Sequence, residues 1–171
     1  MQPPVHVFFD IEAKQVDSQQ VPNLLVCQRA DEDIFHWWYG DVCVQEFLLQ
    51  LEDWCQGGKQ PLTVLAHYFQ GYDSYPIIDT LHRLRLKLGQ IRNGGKVLQL
   101  QCLASSLRFI DSMSFQMKKA KFPKTFGLTK VKKGYFPHLF NIDDHQTYVG
   151  SLPNKHYYMP DGVSVDDCDA F

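Results

Sequence analysis

The run Val5-His6-Val7-Phe8-Phe9-Asp10-Ile11-Glu12 decides how the rest of the chain is read. Val5 to Phe9 is apolar, β-branched and aromatic, the composition of a buried strand. Asp10 and Glu12 follow at i and i+2, positions that share one face of a strand. Two carboxylates projecting together from the end of an apolar strand repel each other unless a cation neutralises them. Mg²⁺ takes hard oxygen ligands, often one or two carboxylates plus a substrate phosphate. The pattern suits a two-metal phosphodiesterase, in which ions about 3.5–4 Å apart stabilise the attacking and leaving oxygens. A surface turn with two solvated carboxylates spells the same Asp-x-Glu, so the pair needs support from elsewhere in the chain.

Working outward, Asn23 to Gln28 and Ile34 to Tyr39 read as two more strands, with Asp31-Glu32-Asp33 as their turn. Val42 to Trp54 predicts a helix, because Val44, Phe47, Leu48, Leu51 and Trp54 follow the spacing of one helical face. Gln56-Gly57-Gly58-Lys59 ends it. Leu62 to Ala66 is a short strand. A second helix starts near Ser74, with Ser74 as its cap, Pro76 in its first turn and Ile77, Ile78, Leu81 and Leu84 on its buried face. Gly89 to Arg92 and Lys96 to Cys102 flank Asn93-Gly94-Gly95, a hairpin signal, and Leu107 to Ile110 is another strand. Strands and helices in this order predict an α/β domain with a mixed sheet.

The 171 residues suffice for one domain with its own core, and 44% hydrophobic with 21% charged residues is a globular composition. No apolar run approaches the roughly 20 residues of a membrane helix. Met1-Gln2-Pro3-Pro4 has no signal-peptide character, so an intracellular protein is expected, not a secreted one. Cys27, Cys43, Cys55, Cys102 and Cys168 form no Cys-x-x-Cys pair and read as reduced thiols. The net charge is −2, yet Ser112 to Ile142 holds seven lysines and no acidic residue. Lys118, Lys119, Lys121, Lys124, Lys130, Lys132 and Lys133 make that segment +7 and leave the remainder −9. Local charge decides phosphate binding, because screening limits its reach to about 8–10 Å. The lysines are either a solvated basic face or a DNA-facing one. Phe115, Phe122, Phe126, Tyr135 and Phe136 interleave with them, as in grooves that stack single-stranded bases.

A further candidate lies in Ala66-His67-Tyr68-Phe69-Gln70-Gly71-Tyr72-Asp73-Ser74-Tyr75. Asp73 is either an acidic residue at a helix N-terminus or a third carboxylate facing Asp10 and Glu12. His67 is either a core histidine or one that supports the site.

Together these segments resemble the exonuclease region of family B DNA polymerases. Phe8 to Glu12 is similar to the first exonuclease motif, and His67 to Ile78 to the second motif of the protein-primed branch. Phe109 to Met113, Phe122 to Leu128, Lys132 to Asn141, Tyr148 to Pro153 and Tyr157 to Asp161 resemble the polymerases of Polinton/Maverick transposons. The likeness runs from about Val5 to Gly162. It implies a ribonuclease-H-like α/β fold, a mixed sheet with flanking helices, incomplete at the C-terminus. It divides the chain into a core at 1–111 and a lysine-rich DNA-contacting segment at 112–171. It implies that Asp10, Glu12 and Asp73 bind two Mg²⁺ ions, with Mn²⁺ as a substitute, and that Lys133 is catalytic. Tyr68, Ser112, Met113, Lys118, Lys119, Lys124, Lys132, Lys133 and Phe136 fall to contacts with the 3′ end of single-stranded DNA. A terminal-protein primer is a further partner of the branch. No membrane partner is expected, a monomer is, and a nucleus or other DNA-containing compartment fits.

The chain departs from the family pattern in three places. Tyr68 stands where the second motif has Asn, and Gln116 where a hydrophobic residue is usual. The third motif, Tyr-x-x-x-Asp, has only the matches Tyr75/Asp79 and Tyr157/Asp161, both read as coincidental. No polymerase motif follows. The expectation is a fragment of a protein-primed DNA-directed DNA polymerase carrying part of its 3′–5′ exonuclease. A weak or inactive single-stranded-DNA-binding module and a stand-alone ribonuclease-H-like nuclease are the alternatives.

Overall fold

The computed structural model describes residues 2–103, 105–115, 127 and 136–158. Seven strands, β1 (Val5–Val16), β2 (Gln19–Arg29), β3 (Phe35–Tyr39), β4 (Leu62–Ala66), β5 (Leu88–Asn93), β6 (Lys96–Cys102) and β7 (Leu107–Asp111), form one sheet. Their order is β3-β2-β1-β4-β7-β6-β5. The central strands β1, β4 and β7 are parallel, and the flanking hairpins are antiparallel, so the sheet is mixed. Helix α1 (Cys43–Cys55) follows β3 and helix α2 (Ser74–Arg83) follows β4. This is the α/β fold expected from the sequence.

One face of the sheet is the core. Val7, Phe9 and Ile11 of β1, Leu25 and Cys27 of β2, Val64 of β4 and Phe109 of β7 are buried with Phe47, Leu48 and Leu51 of α1 and Ile77 and Leu81 of α2. The Phe9 ring touches Phe47, Phe69 and Phe109 at centroid distances of 5.2, 6.3 and 6.2 Å. Burial at this density is the main stabilising term of the domain. The opposite face leaves Phe8, Phe35, Trp37 and Tyr39 exposed.

The structure corrects three local readings. Strand β1 does not end at Phe9 but runs to Val16, turning into β2 through Asp17 and Ser18, both at positive φ. Period-two burial of Val7, Phe9 and Ile11 carries it through the carboxylates. Asp10 and Glu12 therefore sit within a strand rather than at its end. Ser74 does not cap α2: Asp73 holds the N-cap position, and the buried Ser74 Oγ has no hydrogen-bond partner among the described residues. Leu84 lies at the C-cap of α2, more than a third exposed, and Thr80 takes a buried place instead.

Candidate active site

The β1 register sets the first two carboxylates. Asp10 lies opposite Val26 and Glu12 opposite Leu24, and a bulge follows between Glu12 and Ala13. Both face away from Phe9 and Ile11; Asp10 is exposed and Glu12 half-buried. The imidazole Nδ1 of His138 stands 3.9 Å from the Glu12 Oε2. Bulges beside functional residues re-aim side chains, and this one ends the run that presents the pair.

Asp73 comes from the loop between β4 and α2. Its side chain is 6% exposed and makes no capping hydrogen bond. Burial first, and then the charges of Asp10, Glu12 and Asp111, push its carboxyl up to about 7. Three of the four carboxylates were legible as candidates; Asp111 was not. It ends β7 fully buried, and both of its oxygens accept backbone N–H bonds. Its sequence signals were an acid closing an apolar strand and its place inside the Phe109 to Met113 segment, neither of which assigned it a role.

The other predicted contact residues divide sharply. Ser112 and Met113 start a 3₁₀ turn directly after β7, and Ser112 Oγ meets His67 Nδ1 at 3.2 Å. Tyr68 is half exposed and held at φ +63°, a left-handed conformation that a bulky residue rarely takes. Its ring lies against Gly71, where a Cβ would come 2.5 Å from the ring carbons, so a side chain there would push the ring aside. Phe69 turns the other way, into the core, stacked on Phe109 at 6.0 Å. Phe136 lines a shallow cavity of about 300 Å³ with Asn23, Leu24, Tyr39 and Phe140, next to the Glu12 end of β1. Lys118, Lys119, Lys121, Lys124, Lys130, Lys132 and Lys133 lie outside the described residues, as does Asp161. Asp79 is exposed on α2 and paired with Arg83 at 3.2 Å.

Asp10, Glu12 and Asp73 offer only carboxylate oxygens, the donor chemistry of Mg²⁺ or Mn²⁺. An acid whose carboxyl is raised by burial and then by neighbouring carboxylates is in the electrostatic state that a divalent cation relieves. Among the described residues, no group of three or more His, Cys, Asp or Glu side chains stands close enough to grip one ion. The carboxylates are neighbours that feel one another without yet sharing a coordination point.

No family model matches the chain. A "Probable DNA polymerase" of Neurospora intermedia is 36% identical over 106 residues, which is 56% of this chain and 11% of that protein. The fold is similar to that of phi29 DNA polymerase complexed with primer-template DNA, with a TM-score of 0.59 and 16% identity over 80% of this chain and 26% of that one. A second phi29 complex, with primer-template DNA and incoming nucleotides, gives a TM-score of 0.56 and 18% identity over 93% of this chain and 28% of that one. The chain thus spans about a tenth of the curated relative and about a quarter of the solved polymerase. By sequence it is similar to part of a DNA polymerase, and its fold is similar to that of about a quarter of phi29 DNA polymerase.

Proposed function

We propose that this chain is the 3′–5′ exonuclease segment of a protein-primed family B DNA polymerase of the Polinton/Maverick kind, acting on the 3′ end of single-stranded DNA. The observation that carries this reading is Asp73, whose carboxyl is raised to about 7 first by burial and then by Asp10, Glu12 and Asp111, beside two loops that present Tyr68, Ser112 and Met113. Asp10, Glu12 and Asp73 would hold the divalent metal, Mg²⁺ or Mn²⁺, as two ions. Bound there, it supplies Lewis acidity and charge neutralisation at the scissile phosphate.

The chain's own residues bind and orient the strand. Tyr68 offers a half-exposed aromatic face for a terminal base, and the Ser112 hydroxyl offers a hydrogen bond at its sugar or phosphate. Met113 and Phe136 supply apolar contact. Lys118, Lys119, Lys124 and Lys132 would neutralise phosphates along the strand, and Lys133 would balance charge developing at the reacting one. In its parent polymerase the segment would meet a terminal-protein primer, inside a DNA-containing compartment, as a monomer.

A second reading is a single-stranded-DNA-binding module that cuts weakly or not at all. What favours it is that, among the described residues, no three carboxylates stand close enough to grip one ion. One assay separates the two. Purified chain is incubated with 5′-labelled single-stranded DNA and Mg²⁺ or Mn²⁺, beside Asp10→Ala/Glu12→Ala. Metal-dependent shortening that the double variant loses supports the exonuclease. Binding without shortening supports the module, and no binding at moderate salt overturns both.

A further inference from the structure

We propose that Asp111 is a positioning residue that locks the loop after β4 and the turn after β7 into one DNA-facing surface. This rests on the nuclease reading for what the surface faces, whereas the lock itself rests on geometry. Strands β4 and β7 are parallel neighbours that end in register, Ala66 beside Asp111. Two loops therefore leave the sheet side by side, and the carboxylate stands between them.

Each oxygen of Asp111 serves a different loop. Oδ1 accepts the Met113 N–H at 2.8 Å, two residues onward. Oδ2 accepts the Gln70 N–H at 3.1 Å, 41 residues back. A local cap for the 3₁₀ turn needs only the first bond, and asparagine would serve it equally. The second bond requires a second acceptor oxygen, which only a carboxylate has. A fully buried carboxylate is costly unless hydrogen-bonded, and bonds to an ionised acceptor are the strong kind. Two further contacts hold the same juncture. His67 meets Ser112 above it, and Phe69 stacks on Phe109 below it at an interplanar angle of 8°. Gln70 lies two residues after Tyr68 and three before Asp73, so its N–H bond governs where both side chains stand. A tyrosine at φ +63° persists only where its surroundings over-determine it: the Gly71 N–H bonds the Tyr68 carbonyl at 2.7 Å from within the turn, and Asp111 anchors Gln70 from the sheet.

The test uses the whole chain and Asp111→Asn. Amide hydrogen exchange by NMR reads the lock without reference to DNA. Gln70 or Met113 should lose protection while Val64 and Phe109, inside the sheet, keep theirs. Affinity for oligodeoxythymidylate with a free 3′ end should fall about tenfold. Unchanged exchange at both amides overturns the lock. Raised exchange with unchanged affinity overturns the positioning role and leaves Asp111 purely structural. A wild-type chain that does not bind the oligonucleotide overturns the nuclease reading and the positioning role with it, while the exchange result still judges the lock. Should the asparagine variant open the sheet, His67→Ala decides, because it cuts the second tie at an exposed position. A several-fold loss of affinity there supports the proposal, and no loss overturns it.

Discussion

His67 and Ser112 stand 45 residues apart in the chain and meet at 3.2 Å, Nδ1 against Oγ. The contact follows from the pairing of β4 with β7, whose last residues Ala66 and Asp111 lie abreast. Two motifs that look unrelated in the sequence thereby become one rim beside Asp73. Single-residue changes on this rim and beneath it have separable outcomes.

Asp73 should make the metal-free chain lose stability as the solution becomes neutral. Its carboxyl ionises near 3.8 when unfolded and at about 7 when folded, chiefly through burial. Between those values the folded state keeps a proton that the unfolded state has released, so stability is full below the lower value and falls toward the upper one. The loss is on the order of a few kcal/mol. Thermal midpoints measured in EDTA from about pH 4 to pH 8 should fall more steeply for the wild type than for Asp73→Asn. Parallel curves would refute the assignment.

Tyr68→Asn should stabilise the chain, by about 1 kcal/mol, because asparagine tolerates the left-handed region that tyrosine resists. For a chain of this size that corresponds to a rise of about 2–4 °C in Tm. A fall in Tm would mean that the packing of the ring on Gly71 outweighs the backbone strain.

Phe69→Ala should cost about 3–5 kcal/mol, the usual range for emptying a buried aromatic site. Phe8→Ala, on the open face and half exposed, should cost about 1 kcal/mol or less. Urea midpoints of the two variants check the ranking, and equal losses would contradict the assigned faces.

Cys27, Cys43 and Cys55 should resist alkylation until the chain unfolds. Burial pushes their thiols up to about 12, 11 and 11, so little thiolate exists near pH 8. Labelling with iodoacetamide, with and without urea, followed by peptide mapping, measures this. Fast labelling of Cys27 in the folded chain would contradict its burial.

Much of the fold was legible because its signals are local. Leu62–Ala66 is a short run apolar at every position but Thr63, and β4 keeps those bounds. Asn93-Gly94-Gly95 marks a tight turn, and β5 and β6 meet there. The extension of β1 was hidden because Lys14 and Gln15 are polar; Lys14 is satisfied by Asp143 at 2.7 Å and Asp41 at 3.2 Å, partners no local pattern reveals. In the candidate site, Asp10 and Glu12 announce themselves by spacing. Asp73 stood open between a helix N-terminal acid and a third site carboxylate until the family likeness favoured the second, since its elevated carboxyl depends on burial and three-dimensional neighbours. Asp111 escaped notice because its second hydrogen-bond partner is a backbone amide on a non-adjacent loop. Ser74 misled because a serine before an apolar helix face looks like a cap, whereas the helix begins at it and its hydroxyl is buried.

The parallel centre of the sheet also sets a timetable. β1, β2 and β3 can zip together as they leave a ribosome, since each pairs antiparallel with the next. β1 must wait for β4, with Val7 beside Val64, and β4 must wait for β7, with Val64 beside Phe109. Such distant pairings form slowly, after their loop-closure entropy has been met. The rim beside Asp73 is therefore assembled only once β7 and Ser112 have been made. A proteolytic piece or nascent chain ending before Ser112 can be partly folded and yet lack the rim that His67 and Ser112 form together.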